Sequence, residues 1–214
     1  MAGYAMNKAC LSIAFLAALS LAACNSSSQE GETQQGEAPL AGASIGGPFT
    51  LTNQDGVKVS YSDFDGQYRM MYFGYSYCPD ICPLDLQKLM QGYRLFAKQD
   101  PARAAKVQPI FITIDPDRDT ESVLKNYVSA FDPKLIGLTG TPDEVAKVAK
   151  EFAVYYAKDD KSGASDYLVN HSRSPYLMGP DGKSIAILPT DQPGTDADEG
   201  SPQAVATELD RWVK

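Results

Sequence analysis

A mixed α/β sandwich is the fold class that this 214-residue sequence predicts. Three observations carry that prediction. Apolar runs of strand length alternate with stretches whose apolar residues recur every three or four positions. Through the middle of the chain the alternation runs strand, helix, strand, helix, strand, helix, which implies right-handed crossovers between parallel strands. Turn signals near both ends, Asn53-Gln54-Asp55-Gly56 and Gly179-Pro180-Asp181-Gly182, add antiparallel hairpins.

Taken in order, Phe49 to Leu51 and Val57 to Tyr61 are the arms of the first hairpin. Tyr68 to Tyr75 is an aromatic-rich apolar run that reads as a central strand. Leu86, Leu89, Met90, Tyr93 and Phe96 then trace one apolar helix face. Val107 to Ile114 is the next strand and ends at Asp115-Pro116. Val123, Leu124, Tyr127, Val128 and Phe131 mark a second helix, and Leu135 to Leu138 a short strand. Thr141-Pro142-Asp143-Glu144 supplies an N-cap, a proline in the first turn and the glutamate of a capping box. The third helix that follows buries Val145, Val148 and Phe152. Ser174 to Met178 and Ser184 to Leu188 form the terminal hairpin, and Ser201-Pro202 opens a last helix with Val205, Leu209, Trp212 and Val213 inward. This order describes a thioredoxin-like fold with an N-terminal β-hairpin and an inserted, near-terminal one.

The N-terminus reads as an export signal. Lys8 is followed by the apolar run Leu11 to Ala23, too short to span a bilayer. Leu21-Ala22-Ala23-Cys24 resembles a bacterial lipobox, which makes Cys24 an acylation site and gives residues 1–24 as the signal. An ordinary signal peptide with an incidental Cys24 is the plainer alternative. Several acyl chains on one cysteine would anchor the chain stably to a membrane, its domain facing the periplasm. Residues 25–44 are Ser, Gln, Glu, Gly and Ala with little to bury, which predicts a disordered tether of about 25 Å reach. Residues 45–214 are long enough for one domain with a full core. The net charge of −8 and the lack of a basic cluster exclude a nucleic-acid partner.

Chemistry concentrates in three residues. Cys78 and Cys82 lie in Tyr77-Cys78-Pro79-Asp80-Ile81-Cys82-Pro83, between the first central strand and its helix. There the helix dipole and free N–H groups favour the thiolate. His171 is the one histidine in the sequence. Two sulfurs and one imidazole nitrogen suit a soft transition metal, copper above all. The spacing is C-x-x-x-C, one residue longer than the C-x-x-C of a dedicated disulfide oxidoreductase. His171 falls in a loop before the terminal strands, which this fold can bring to the cysteine corner.

Four blocks resemble the SCO/SenC family of copper chaperones for cytochrome c oxidase. They are Gly46 to Leu51, Tyr72 to Pro83, Asp115-Pro116-Asp117-Arg118-Asp119-Thr120, and Asn170-His171-Ser172 with Tyr176-Leu177-Met178 and Asp181-Gly182. They run in the family's order over most of Gly46 to Leu188. The resemblance implies one copper, as Cu(I) or Cu(II), bound by Cys78, Cys82 and His171. It implies transfer to the copper-site subunit of the oxidase, with another copper chaperone or a thioredoxin-like reductant as further partners. The family commonly has an acid where this chain has Asn170, so Asn170 is a candidate to support His171 from behind, as is Asp115.

Other uses of the same residues stay open. Cys78 and Cys82 suit a structural disulfide, though the loop is too short to add much stability. A thiol-disulfide reductase that keeps the oxidase's copper-ligand cysteines reduced, or a redox sensor, needs the two cysteines but not His171. A peroxidase needs a selectively activated cysteine that the sequence does not single out. Zinc with two sulfurs, a nitrogen and water lacks a nearby general base.

Overall fold

The computed structural model describes residues 36–159, 167–192, 194–195 and 197–214. Its centre is a seven-stranded sheet of order β2-β1-β5-β4-β3-β8-β9. The strands are β1 (Thr50–Asn53), β2 (Lys58–Ser60), β3 (Tyr68–Gly74), β4 (Val107–Thr113), β5 (Ile136–Thr139), β8 (Tyr176–Met178) and β9 (Ser184–Ile187). β3, β4 and β5 are parallel, with Tyr72 opposite Phe111 and Ile112 opposite Leu138. β1 joins β5 antiparallel and β8 joins β3 antiparallel, so a hairpin flanks each side of the parallel core. The architecture is the thioredoxin-type sandwich that the element order predicts.

β3 is buried at every position, as a strand covered on both faces must be. Successive side chains point to opposite faces. Tyr72 meets Phe111, which in turn packs on Tyr127. Phe73, on the other face, meets Phe152, joined there by Phe49, Tyr61 and Tyr176. Helices α1 (Ile81–Gln99) and α3 (Glu121–Ser129) cover the Tyr72 face, and α4 (Pro142–Glu151), with Phe152 as its C-cap residue, covers the Phe73 face. α5 (Pro202–Trp212) packs along α1, and a short α2 (Pro101–Ala105) turns the chain into β4. α4 carries the predicted capping box: Glu144 N–H donates to the Thr141 hydroxyl at 3.2 Å, and Thr141 N–H to the Glu144 carboxylate at 2.8 Å.

Four expectations change. The arm predicted to run to Tyr61 stops at Ser60, because Asp63 accepts the Ser60 N–H at 2.8 Å and starts a 3-10 turn, Tyr61–Phe64. The second helix, expected to reach Phe131, ends as α3 at Ser129, and Phe131 packs half-buried on the core just beyond it. His171 is not in a loop: it ends β7 (Leu168–His171), which pairs antiparallel with β6 (Tyr156–Asp159) in a separate two-stranded sheet. Finally, the tether expected over 25–44 is shorter at its C-terminal end. Leu40 N–H donates to the Ile185 carbonyl at 3.0 Å, its carbonyl accepts from Ser184, and Ala38 and Leu40 pack on the core. The signal residues 1–24, Cys24 and tether residues 25–35 lie outside the described residues.

Candidate metal centre

β3 ends at Gly74, where a side chain would be crowded: a Cβ there would sit 3.1 Å from the Tyr72 and Phe111 rings and 3.2 Å from the Cys82 sulfur. This close approach lets the chain turn at once into the cysteine loop. The loop is held from beneath by Asp119, fully buried, which accepts from the Ser76 N–H at 3.0 Å, the Ser76 hydroxyl and the Thr113 hydroxyl at 2.6 Å. Burial raises the Asp119 carboxyl above the usual carboxylate range, against the pull of these donors.

α1 starts at Ile81 with Cys82 in its first turn and fully buried. Asp80 occupies the cap position but makes no side-chain cap bond. The Cys78 sulfur takes that role: the Cys82 N–H donates to it at 3.4 Å. An orphaned helix N–H pointed at sulfur favours the thiolate. With the Cys82 thiol as its strongest donor, and with help from His171 and backbone N–H groups, Cys78 is lowered to about 3. Cys82 moves the other way, raised by its bond to Cys78 and by burial. The pair thus shares one proton, held on the inner sulfur.

His171 completes the cluster. Its Nε2 lies 3.1 Å from the Cys82 sulfur, and its Nδ1 lies 2.7 Å from the Ser172 carbonyl. A carbonyl only accepts, so Nδ1 donates to it, which turns Nε2 toward the sulfurs. The two sulfurs and a ring nitrogen all lie within 4.8 Å of one another. Metal–sulfur and metal–nitrogen bonds of about 2.0–2.3 Å place trigonal donors roughly 3.5–4 Å apart, so the cluster fits one soft ion with small adjustments. A cleft of ≈ 480 Å³, lined by Cys78, Pro79, Ile81, Tyr155, Leu168 and His171 among others, opens the cluster outward.

Neither outer candidate touches the donors. Asn170 faces away from His171 because neighbours on a strand point to opposite sides, and its side chain is exposed. The Ser172 carbonyl does the work expected of residue 170. Asp115 is fully buried and accepts from Arg118 and from the Tyr167 hydroxyl, each at 2.5 Å. The Arg118 guanidinium lies 3.7 Å from the Tyr167 ring centre and 5.7 Å from that of Tyr75. Tyr75 in turn meets the His171 ring edge-on at 6.0 Å. Asp115 therefore reaches the cluster only through other side chains. Sequence reasoning missed Tyr75, Asp85, Arg118, Asp119, Tyr167 and Arg173. Tyr75, Arg118 and Asp119 lay in blocks it had singled out, but it gave them no role.

A family model described as SCO1/SenC matches residues 37–205. The chain belongs to the SCO1/SenC family. Among its relatives, the human protein named SCO1 homolog, mitochondrial, is 44% identical over 141 residues, 66% of this chain and 46% of that protein. SCO1 homolog 1, mitochondrial, of Arabidopsis thaliana is 45% identical over 144 residues, 67% of this chain and 42% of that protein. The chain thus spans about half the length of the curated relatives it matches. Among solved structures it resembles Bradyrhizobium japonicum ScoI with copper bound, with TM-score 0.68, 38% identity, and coverage of 79% of this chain and 99% of that one. Yeast Sco1 with copper bound superposes with TM-score 0.66 at 37% identity, covering 80% of this chain and 91% of that one.

Proposed function

We propose that this SCO1/SenC chain is a metallochaperone that takes copper as cargo through Cys78, Cys82 and His171. It passes the ion to the dinuclear copper site of a respiratory cytochrome c oxidase. The observation that carries the reading is the donor set: two sulfurs and an Nε2 converge within 4.8 Å beside an open cleft. Two solved relatives of similar fold hold copper. Cys82 is the buried, fixed donor, whereas Cys78 and His171 are half-exposed and reachable by an incoming ligand. Copper held by the dithiol requires both sulfurs reduced, so oxidation to a disulfide, which removes two electrons and the proton that the pair shares, closes the site. The oxidase as recipient rests on the family resemblance of the four sequence blocks. Attachment to a membrane through acylated Cys24, ahead of a periplasmic domain, rests on the Leu21-to-Cys24 pattern.

The sulfur asymmetry favours a second reading, a thiol-disulfide reductase. The Cys78 thiolate would attack a partner disulfide, and Cys82 would resolve the mixed disulfide, leaving the partner reduced and this pair oxidised. One experiment separates the two. A reduced chain begun at residue 25, without Cys10 and Cys24, is titrated anaerobically with Cu(I) against a competing chelator, beside His171→Ala. One tight equivalent in the wild type, weakened at least tenfold in the variant, supports the chaperone. Weak binding indifferent to His171 overturns it and leaves the reductase.

A further inference from the structure

His171 and the two cysteines belong to different sheets. Among the described residues β6 and β7 share no strand pairing with the seven-stranded sheet, so backbone ladders there do not fix where His171 stands relative to the sulfurs. Side chains do it instead, at two points placed symmetrically about the histidine. Two residues before it, the Val169 N–H donates to the Tyr75 hydroxyl at 3.1 Å in a buried contact. Two residues after it, Arg173 reaches α1 and forks onto Asp85: Nε to Oδ2 at 2.9 Å and Nη2 to Oδ1 at 2.6 Å. The third Arg173 nitrogen donates to the Asp191 carbonyl at 3.1 Å.

The far ends of these ties are as informative as the near ones. Tyr75 lies three residues before Cys78, and Asp85 lies three residues, one helical turn, after Cys82. Each cysteine segment therefore holds one side of the histidine strand. Asp85 is 3% exposed on an otherwise apolar helix face, and the Tyr72 hydroxyl, at 3.0 Å, orients the oxygen that receives Arg173 Nε. A planar guanidinium on an oriented carboxylate fixes direction as well as distance, which an ammonium does not.

We propose that Arg173 is a positioning residue for the metal centre. Its fork on Asp85, opposed by the Tyr75 hydroxyl, holds the His171 imidazole where Nε2 meets the two sulfurs. This rests on the reading of the three donors as a copper site. The bland rival is a buried ion pair that only stabilises the fold.

Two readouts on the reduced protein separate these. Without metal, His171 gives the ring signals of the only histidine in the chain, so its environment is read directly by NMR. Arg173→Met shifts and broadens those signals, and Arg173→Lys does so less. With Cu(I) against a chelator, Arg173→Met weakens binding ten- to a hundredfold, the range for residues that orient a metal ligand. In a His171→Ala background the same substitution changes affinity less than twofold, because its effect passes through the imidazole. Equal losses with and without His171 overturn the proposal, as do unchanged ring signals and affinity in Arg173→Met. If Arg173→Met does not fold, Arg173→Lys, which leaves no unpaired buried charge, carries the test: unchanged ring signals overturn the proposal. Failure of the wild type to bind copper would sink the chaperone reading alone, and the metal-free ring signals would still judge the role of Arg173.

Discussion

Cys78 and Cys82 differ by four positions in sequence and by nearly everything in environment. One is half-exposed and accepts hydrogen bonds from a thiol and a helix N–H; the other is sealed under the sheet beside Gly74. Cys78 is lowered from 9.0 to about 3 by its donors, so folding favours its thiolate. The sign of the linkage follows. The unfolded chain binds a proton at this sulfur that the folded chain does not, so the contribution is full above pH about 9. It erodes as pH falls and is gone below pH about 3. Cys82, raised, works in the opposite sense at alkaline pH. Ultraviolet thiolate absorbance of the reduced protein should persist at about pH 5 and vanish at that pH in Cys78→Ser. Cys82→Ala deletes the strongest donor to Cys78, so the remaining thiolate should titrate several pH units higher; an unmoved titration would show that the donor is not the cause.

At the scale of elements, legibility followed local pattern. The capping box of α4 was read correctly because Thr141 and Glu144 are three residues apart and need nothing else. The parallel strands were read from apolar runs. β6 was not foreseen, since Tyr156 to Asp159 carries no clear alternation and is stabilised by pairing with β7. α1 shows a conflict between levels. Gly92 in its middle looks like a weakness of about 1 kcal/mol against alanine. In the fold a Cβ there would fall 2.5 Å from the Val205 Cβ and 2.8 Å from the Pro202 carbonyl on α5. Overpacking costs about 1–3 kcal/mol and outweighs the propensity gain. Gly92→Ala should therefore lower the urea midpoint, by a stability loss on the order of 1–2 kcal/mol, and adding Val205→Ala should recover part of it. A Gly92→Ala protein more stable than wild type would mean that α5 yields at that contact.

The described residues form a domain that carries the candidate metal centre and begins earlier than its composition suggests, with Leu40 already bonded to β9. Of the tether expected over residues 25–44, the stretch from Ala38 on belongs to the domain instead. The proposed anchor is tested by fractionation: wild type should partition with membranes, and Cys24→Ser should move to the soluble fraction with its copper affinity unchanged. Membrane retention of Cys24→Ser would dismiss lipidation as the attachment.

By itself the sequence determined the α/β class, the order of the central elements and three candidate donors that the fold gathers, because periodicity, turn residues and soft-ligand chemistry are local properties. Tertiary structure decided the rest. That His171 reaches Cys82 across 89 residues depends on the β6–β7 pairing and on side-chain ties no spacing announces. Which sulfur is the thiolate depends on one being buried and the other facing a helix N–H. The roles of Asp85, Arg173 and Tyr75 are likewise non-local, since each acquires its meaning from a partner far away in the chain, and a polar side chain among apolar neighbours shows its purpose only once folding has brought that partner to it.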